Sequence, residues 1–426
     1  MSWTYYEKAD EHAFCTKIPN GLTVKIVPKK GFTKCLAYFV TDFGSIHRDF
    51  ELDGQLHHTP AGVAHFLEHK MFELPQRDVS AEFAALGGNV NAFTSFDMTA
   101  YYFSCTANFR ENLRLLLEFV STPYFTEESV NREYGIIDQE IAMNEDAPES
   151  REFNALMQKM YQNHPVREEI LGTRDSIRQI TAETLYTCHR AFYTPANMIL
   201  CVVGDVEAEE VVSIAREVLG DEYRAPAKKI KNWPEEMVSD TSPARLQLEV
   251  AMPTFQMGFK CEPAARGEAA LRTDVIGYLA AEMLFGESSS LYLELYEAGI
   301  IDTSFGGSFE TIDGCAMLTC GGDSDNAEKI YEAVLDKAAD LVQNGLQETE
   351  FLRLKRGAMG RRIRDLDSFE AICFRQCAYH FLGFDYFGFP AVYADVTMEE
   401  VRQFLARVVT KERCALATTH PTYEEG

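Results

Sequence analysis

The strongest constraint on the fold of this chain is that one order of elements occurs twice along it. The alternating run Thr99–Cys105 (TAYYFSC) leads into a helical pattern over residues 108–120, and Cys315–Cys320 (CAMLTC) leads through the turn-like 321–325 (GGDSD) into a helical pattern over 326–342. Residues 197–206 (NMILCVVGDV) and 413–421 (RCALATTHP) read as the last strand of each half, each after a segment with apolar residues at three- and four-residue spacing. Between the repeats, Arg224–Arg245 carries three prolines and a local excess of lysine, which is linker chemistry. The pattern predicts a domain over 1–223, a linker over 224–245 and a homologous domain over 246–426, and 426 residues is a length that suits such a pair.

Each half mixes strands with helices. The first two strong strands, residues 21–28 (GLTVKIVP) and 34–45 (KCLAYFVTDFGS), are joined by a short turn, which favours an antiparallel hairpin. The expected class is therefore α+β, with two homologous domains, each a mainly antiparallel sheet with helices packed on one face. No glycine-rich phosphate loop follows an early strand, so nucleotide binding has no support.

Composition excludes further classes. With 46% hydrophobic and 25% charged residues the chain is globular, and a net charge of −26 makes nucleic acid and anionic membranes poor partners. Apolar runs such as Met198–Gly204 fall far short of the ~20 residues that cross a bilayer. The start, MSWTYYEKAD, lacks the basic-then-apolar plan of a secretory signal. A cytoplasmic protein is expected. Eleven cysteines without C-x-x-C spacing read as buried free thiols, Cys373 and Cys377 sharing a helix face.

The segment that carries chemistry is residues 59–73, TPAGVAHFLEHKMFE, in which His65, Glu68 and His69 stand at i, i+3 and i+4 of a helix and share one face. Two imidazoles one turn apart can bind one zinc, and a carboxylate beside them can take the proton of a water without being a ligand. With 10 His and 66 acidic residues in the chain, chance places roughly 0.04 His-x-x-acid-His patterns in it. A solvated helix with two incidental histidines would carry Lys and Glu where Phe66, Leu67 and Met71 stand. A third ligand is sought in residues 126–150. Thr126 can cap a helix there, Val130, Tyr134, Ile137 and Ile141 form its apolar stripe, and Glu133 and Glu140, seven apart, lie on one face. A solvated acidic edge is the alternative for that pair.

His-x-x-Glu-His followed by a glutamate 71 residues after His69, with another glutamate seven before it, resembles the inverted-zincin peptidases of the insulinase/pitrilysin type, which include the mitochondrial processing peptidases. The resemblance extends to residues 87–105 (GGNVNAFTSFDMTAYYFSC) and to the duplicated halves, and is closest to small bacterial members. It implies His65, His69 and Glu140 as zinc ligands, Glu68 as general base and Glu133 as a supporting carboxylate. It also implies Asn91, Ala92, Phe93 and Thr94 as a strand edge to which an extended peptide adds by main-chain hydrogen bonds.

The chain departs from the family in its second half. Relatives place an Arg and a Tyr six residues apart to hold the substrate carbonyl region, where this chain has Tyr296 and Asp302. Tyr offers one O–H and Asp only accepts, so neither makes the same donations. The expectation is a zinc metalloendopeptidase hydrolysing peptides in an enclosed cavity, as the zinc-bearing subunit of a heterodimer whose homologous zinc-free partner supplies the Arg/Tyr pair. Two other classes stay open: a catalytically weak or inactive family member acting as an assembly subunit, and a thiol redox or metal-storage protein.

Overall fold

The computed structural model describes residues 2–75 and 77–422. Strand Met198–Gly204 (MILCVVG) is the key to the first sheet. Its apolar run shows no alternation, and a strand of that kind is buried on both faces. It lies at the centre of seven strands, in the order Ser2–Tyr6, Glu11–Lys17, Thr23–Pro28, Met198–Gly204, Cys35–Thr41, Thr99–Cys105, Gly88–Thr94. It runs parallel to Thr23–Pro28 and antiparallel to Cys35–Thr41. The two strands expected to form a hairpin are thus antiparallel but one strand apart. The turn between them spans two strand spacings, about 10 Å, which six residues reach easily.

The second sheet repeats this plan. Its order is Ala244–Leu248, Cys414–Pro421, Thr254–Cys261, Cys315–Asp323, Gly306–Ile312, with one parallel pairing, that of Ala244–Leu248 with Cys414–Pro421. The last strand of each half is inserted in the same way, so the five strands of the second sheet follow the order of Thr23–Pro28, Met198–Gly204, Cys35–Thr41, Thr99–Cys105 and Gly88–Thr94, while Ser2–Tyr6 and Glu11–Lys17 have no counterpart. Gly321, Gly322 and Asp323 extend the strand rather than forming a turn.

Contacts divide the chain into two compact units that do not follow the repeats. The first joins residues 1–141, 169–231 and 363–388; the second joins 142–168, 232–362 and 389–426. Each unit therefore contains a helix from the opposite half. Helix Phe369–Phe381 covers one face of Met198–Gly204 and Cys35–Thr41, and helix Pro148–Met160 covers Cys414–Pro421 and Thr254–Cys261. Gly258 permits the second contact, since a Cβ there would stand 2.5 Å from Met160 Sδ. The expected linker, 224–245, contains the short strand Lys228–Lys229, paired to Phe50 and Glu51, and its last two residues open strand Ala244–Leu248.

The opposite face of the first sheet packs on a core that includes Phe39, Phe66, Leu67, Tyr101, Phe103 and Phe192. All eleven cysteines are free, and all but Cys15 are buried. Cys373 and Cys377 both reach the Cys201 thiol. Among the described residues no helix is long and apolar enough to cross a membrane.

Candidate metal centre

Gly62 opens the helix that carries the histidines, with φ 89°. A side chain there would strike the Leu171 carbonyl oxygen at 2.4 Å, so glycine is needed both for the backbone angle and for the close approach. Helix Val63–Met71 then buries Val63, Ala64, Phe66, Leu67 and Met71 in the core, which fixes how its remaining face is aimed. That face carries His65, Glu68 and His69.

Helix Glu127–Glu145 supplies the acids. The Thr126 hydroxyl accepts from Ser129 N at its start, and Val130, Ile137 and Ile141 are buried, so the expected stripe seats it. Its glutamates at 133 and 140 both meet the histidines. His65 Nε2 lies 3.6 Å from Glu140 Oε1, and His69 Nε2 lies 3.6 Å from Glu140 Oε2. One donor atom from each of the three residues falls within 4.8 Å of the others. A separation of 3.6 Å is too long for a hydrogen bond. It is close to the edge of a tetrahedron of ligands at zinc distances, about 3.4 Å. Two imidazole nitrogens and a carboxylate oxygen are also the donor types that zinc takes. The residues fit that ion.

Behind the ligands the two histidines differ. His69 Nδ1 is 3.0 Å from Glu133 Oε1, the place from which an outer carboxylate would orient a ligating imidazole. His65 Nδ1 is buried without a hydrogen-bond partner. Burial alone would depress the His69 imidazole, but the Glu133 hydrogen bond and the charges of Glu133, Glu68 and Glu140 outweigh it and raise its pKa. A metal entering here displaces that proton. Glu140 is held below the ordinary carboxylate range, chiefly by His65. Glu133 is also lowered: burial pushes it up, and His69 with Lys70 more than offsets that.

Glu68 behaves in the opposite sense. Burial pushes its carboxyl above the ordinary range, against the pull of the Thr94 hydroxyl and the two imidazoles. A carboxylate with raised pKa beside a metal site can take and return a proton near neutral pH.

Gly88–Thr94 is the last strand in its sheet and pairs only with Thr99–Cys105 among the described residues. Asn91 is exposed and its side chain accepts from Ala92 N. Ala92 packs against the core. Phe93 turns to the opposite face, 6.0 Å from the Phe374 ring and 6.3 Å from Tyr102. The Thr94 hydroxyl donates to Glu68 Oε2 at 2.6 Å, which ties this strand to the proposed base. Reading NAFT as a backbone edge gave no sign of that bond.

Sequence reasoning also missed Lys70, which is fully buried and contacts both Glu73 and Glu133. The available signal was a lysine inside an otherwise apolar helix pattern, three residues before an acid. In the second unit Tyr296 is exposed and stacks on Tyr292, with ring centroids 5.8 Å apart. Asp302 Oδ1 accepts from Ser304 N and Oγ, which spends it on a local turn. A cavity of about 790 Å³ in this unit is lined by Glu149, Glu152, Glu310 and Asp323 among others, and among the described residues its lining includes no metal-ligand group of the kind that His65, His69 and Glu140 form.

Comparison with known proteins identifies the family. Residues 54–174 match the family described as insulinase (peptidase family M16), and residues 179–358 match the peptidase M16 inactive domain. The chain is 37% identical over 426 residues to the Bacillus subtilis protein named "Uncharacterized zinc protease YmfH", covering 98% of each. A crystal structure of a protein described as an M16-like peptidase from Alicyclobacillus acidocaldarius superposes with a TM-score of 0.92 at 32% identity, over 97% of this chain and 99% of that one. A protease from Helicobacter pylori shares the fold, with a TM-score of 0.82 at 20% identity over 96% and 99% of the two chains. The chain belongs to the insulinase family of peptidases, family M16.

Proposed function

We propose that the chain is a zinc-dependent endopeptidase, with His65, His69 and Glu140 holding the metal and Glu68 serving as general base. The observation that carries this reading is the meeting of both imidazole Nε2 atoms with the two oxygens of Glu140, beside a buried carboxylate of raised pKa. When bound, zinc supplies Lewis-acid polarisation of the scissile carbonyl and acidifies water. Glu68 takes the proton of the attacking water and returns it to the departing amine. Thr94 holds Glu68 in place for both transfers, and Glu133 holds His69. The free edge of Asn91, Ala92, Phe93 and Thr94 receives the peptide backbone as an added strand.

A homologous, zinc-free subunit completes the site by supplying an Arg and a Tyr, since Tyr296 and Asp302 make neither donation. The eleven free thiols favour a reducing compartment, the cytoplasm. The same departure at 296 and 302 supports a second reading, an assembly subunit with little turnover. Glu68→Gln separates the two. On the first reading it keeps zinc while peptide hydrolysis falls at least about a hundredfold. Hydrolysis at the unaltered rate would refute the mechanism. Co-purification from the source cell tests the partner: a zinc-free relative that raises hydrolysis when added back supports it, and full activity of this chain alone defeats it.

A further inference from the structure

Lys70 adjoins His69 in sequence but does not face it, because neighbouring helix positions diverge by about 100°. It meets the metal centre from behind. Its side chain is fully buried, and its ammonium has three partners: the Glu73 carboxylate, Ser129 O at 3.3 Å and Glu133 Oε2 at 3.7 Å. Glu73 is held on its other oxygen by Arg132 at 2.6 Å. Glu133 thus meets His69 Nδ1 at hydrogen-bond distance through one oxygen, while its other oxygen stands at ion-pair distance from Lys70 Nζ.

The arrangement matters because the last torsion of a glutamate and the ring torsion of a histidine are both broad. A carboxylate met from one side only can rotate, and the imidazole it orients rotates with it. Met from both sides, it holds one plane. We propose that Lys70 is a positioning residue of the metal centre: it fixes the Glu133 carboxylate against His69 Nδ1 and through it aims His69 Nε2 at the ion. The proposal rests on the reading of His65, His69 and Glu140 as metal ligands.

The test is a cycle of zinc dissociation constants on the full chain, measured by competition with a chromophoric chelator, for the wild type, Lys70→Met, Glu133→Gln and the double variant. The visible spectrum of each cobalt-substituted protein is recorded as well, and far-UV circular dichroism checks folding. Methionine keeps the volume of lysine and removes its charge. Lys70→Met is expected to weaken zinc binding about ten- to a hundredfold, as loss of an outer partner does, and to shift the cobalt spectrum. The double variant is expected to bind within about twofold of Glu133→Gln, because of the three partners named for Lys70 only Glu133 touches a proposed ligand. Wild-type affinity and an unchanged cobalt spectrum in folded Lys70→Met would overturn the proposal, and so would losses that multiply in the double variant. If Lys70→Met does not fold, Lys70→Gln takes its place in the cycle and is read against the same expectations. A wild-type chain that binds no zinc at all would instead sink the metal reading itself, and this proposal with it.

Discussion

His189 should make the first unit acid-labile by an amount that its surroundings set. It stands on helix Ala182–Phe192, which packs against the histidine-bearing helix Val63–Met71. Its Nε2 donates to Val120 O at 3.0 Å, and its ring stacks on Tyr193 with centroids 4.8 Å apart. Burial, aided by the charge of Arg224 and opposed by the Val120 carbonyl, lowers its pKa to about 4 from an ordinary 6.5. The unfolded chain therefore binds a proton that the folded chain refuses, and stability must rise with pH between these two values. The contribution is whole above pH 6.5 and is lost as pH falls through about 4. At about 1.4 kcal/mol per pH unit it amounts to about 3.5 kcal/mol. Glutamine at this position can still donate to Val120 O but cannot titrate. Urea midpoints of the wild type and His189→Gln, followed by circular dichroism from pH 7.5 to 4.5, should show the wild type losing stability relative to the variant as the pH falls, because only the wild type loses this term. Midpoints that stay parallel across that range would refute the argument.

Three further outcomes follow from the geometry. Glu140→Gln should lower the zinc content of the purified chain by elemental analysis while circular dichroism stays unchanged; full zinc occupancy would remove Glu140 from the ligand set. Thr94→Val removes a hydrogen bond to a charged group worth about 1.5–3 kcal/mol, so kcat/KM should drop about ten- to a hundredfold with zinc retained, and Thr94→Ser should restore it. A fragment of residues 1–223 lacks helix Phe369–Phe381, so Met198–Gly204 and Cys35–Thr41 are left bare on one face. It should be recovered as aggregate, and residues 363–388 supplied with it should raise its soluble yield.

Local chemistry was legible in the sequence, and so were the helical faces that carry it. The spacing of His65, Glu68 and His69 placed them on one helical face, and the seven-residue interval between Glu133 and Glu140 placed both acids on another. That the two faces meet is a tertiary fact, which spacing alone leaves open and which the family resemblance supplied. Side-chain links across elements left no trace. Thr94 reaching Glu68 and Lys70 reaching Glu133 connect residues 26 and 63 apart, and no period relates them.

The inserted central strand and the exchanged helices escaped for a different reason. A short turn between residues 21–28 and 34–45 is equally compatible with direct pairing and with one strand between, and only the unbroken apolar run at Met198–Gly204 marks a strand that must be covered on both faces. Helices Pro148–Met160 and Phe369–Phe381 occupy matching places in the two repeats, and each has an apolar face fit for a sheet. Apolar burial has no direction, so hydrophobicity tells that a helix must cover a sheet but not which of two homologous sheets it covers. Specificity has to come from shape. Gly258 is one such place: the strand lacks a side chain where Met160 and Leu156 press in, and a larger residue there would force the Met160 side chain to move.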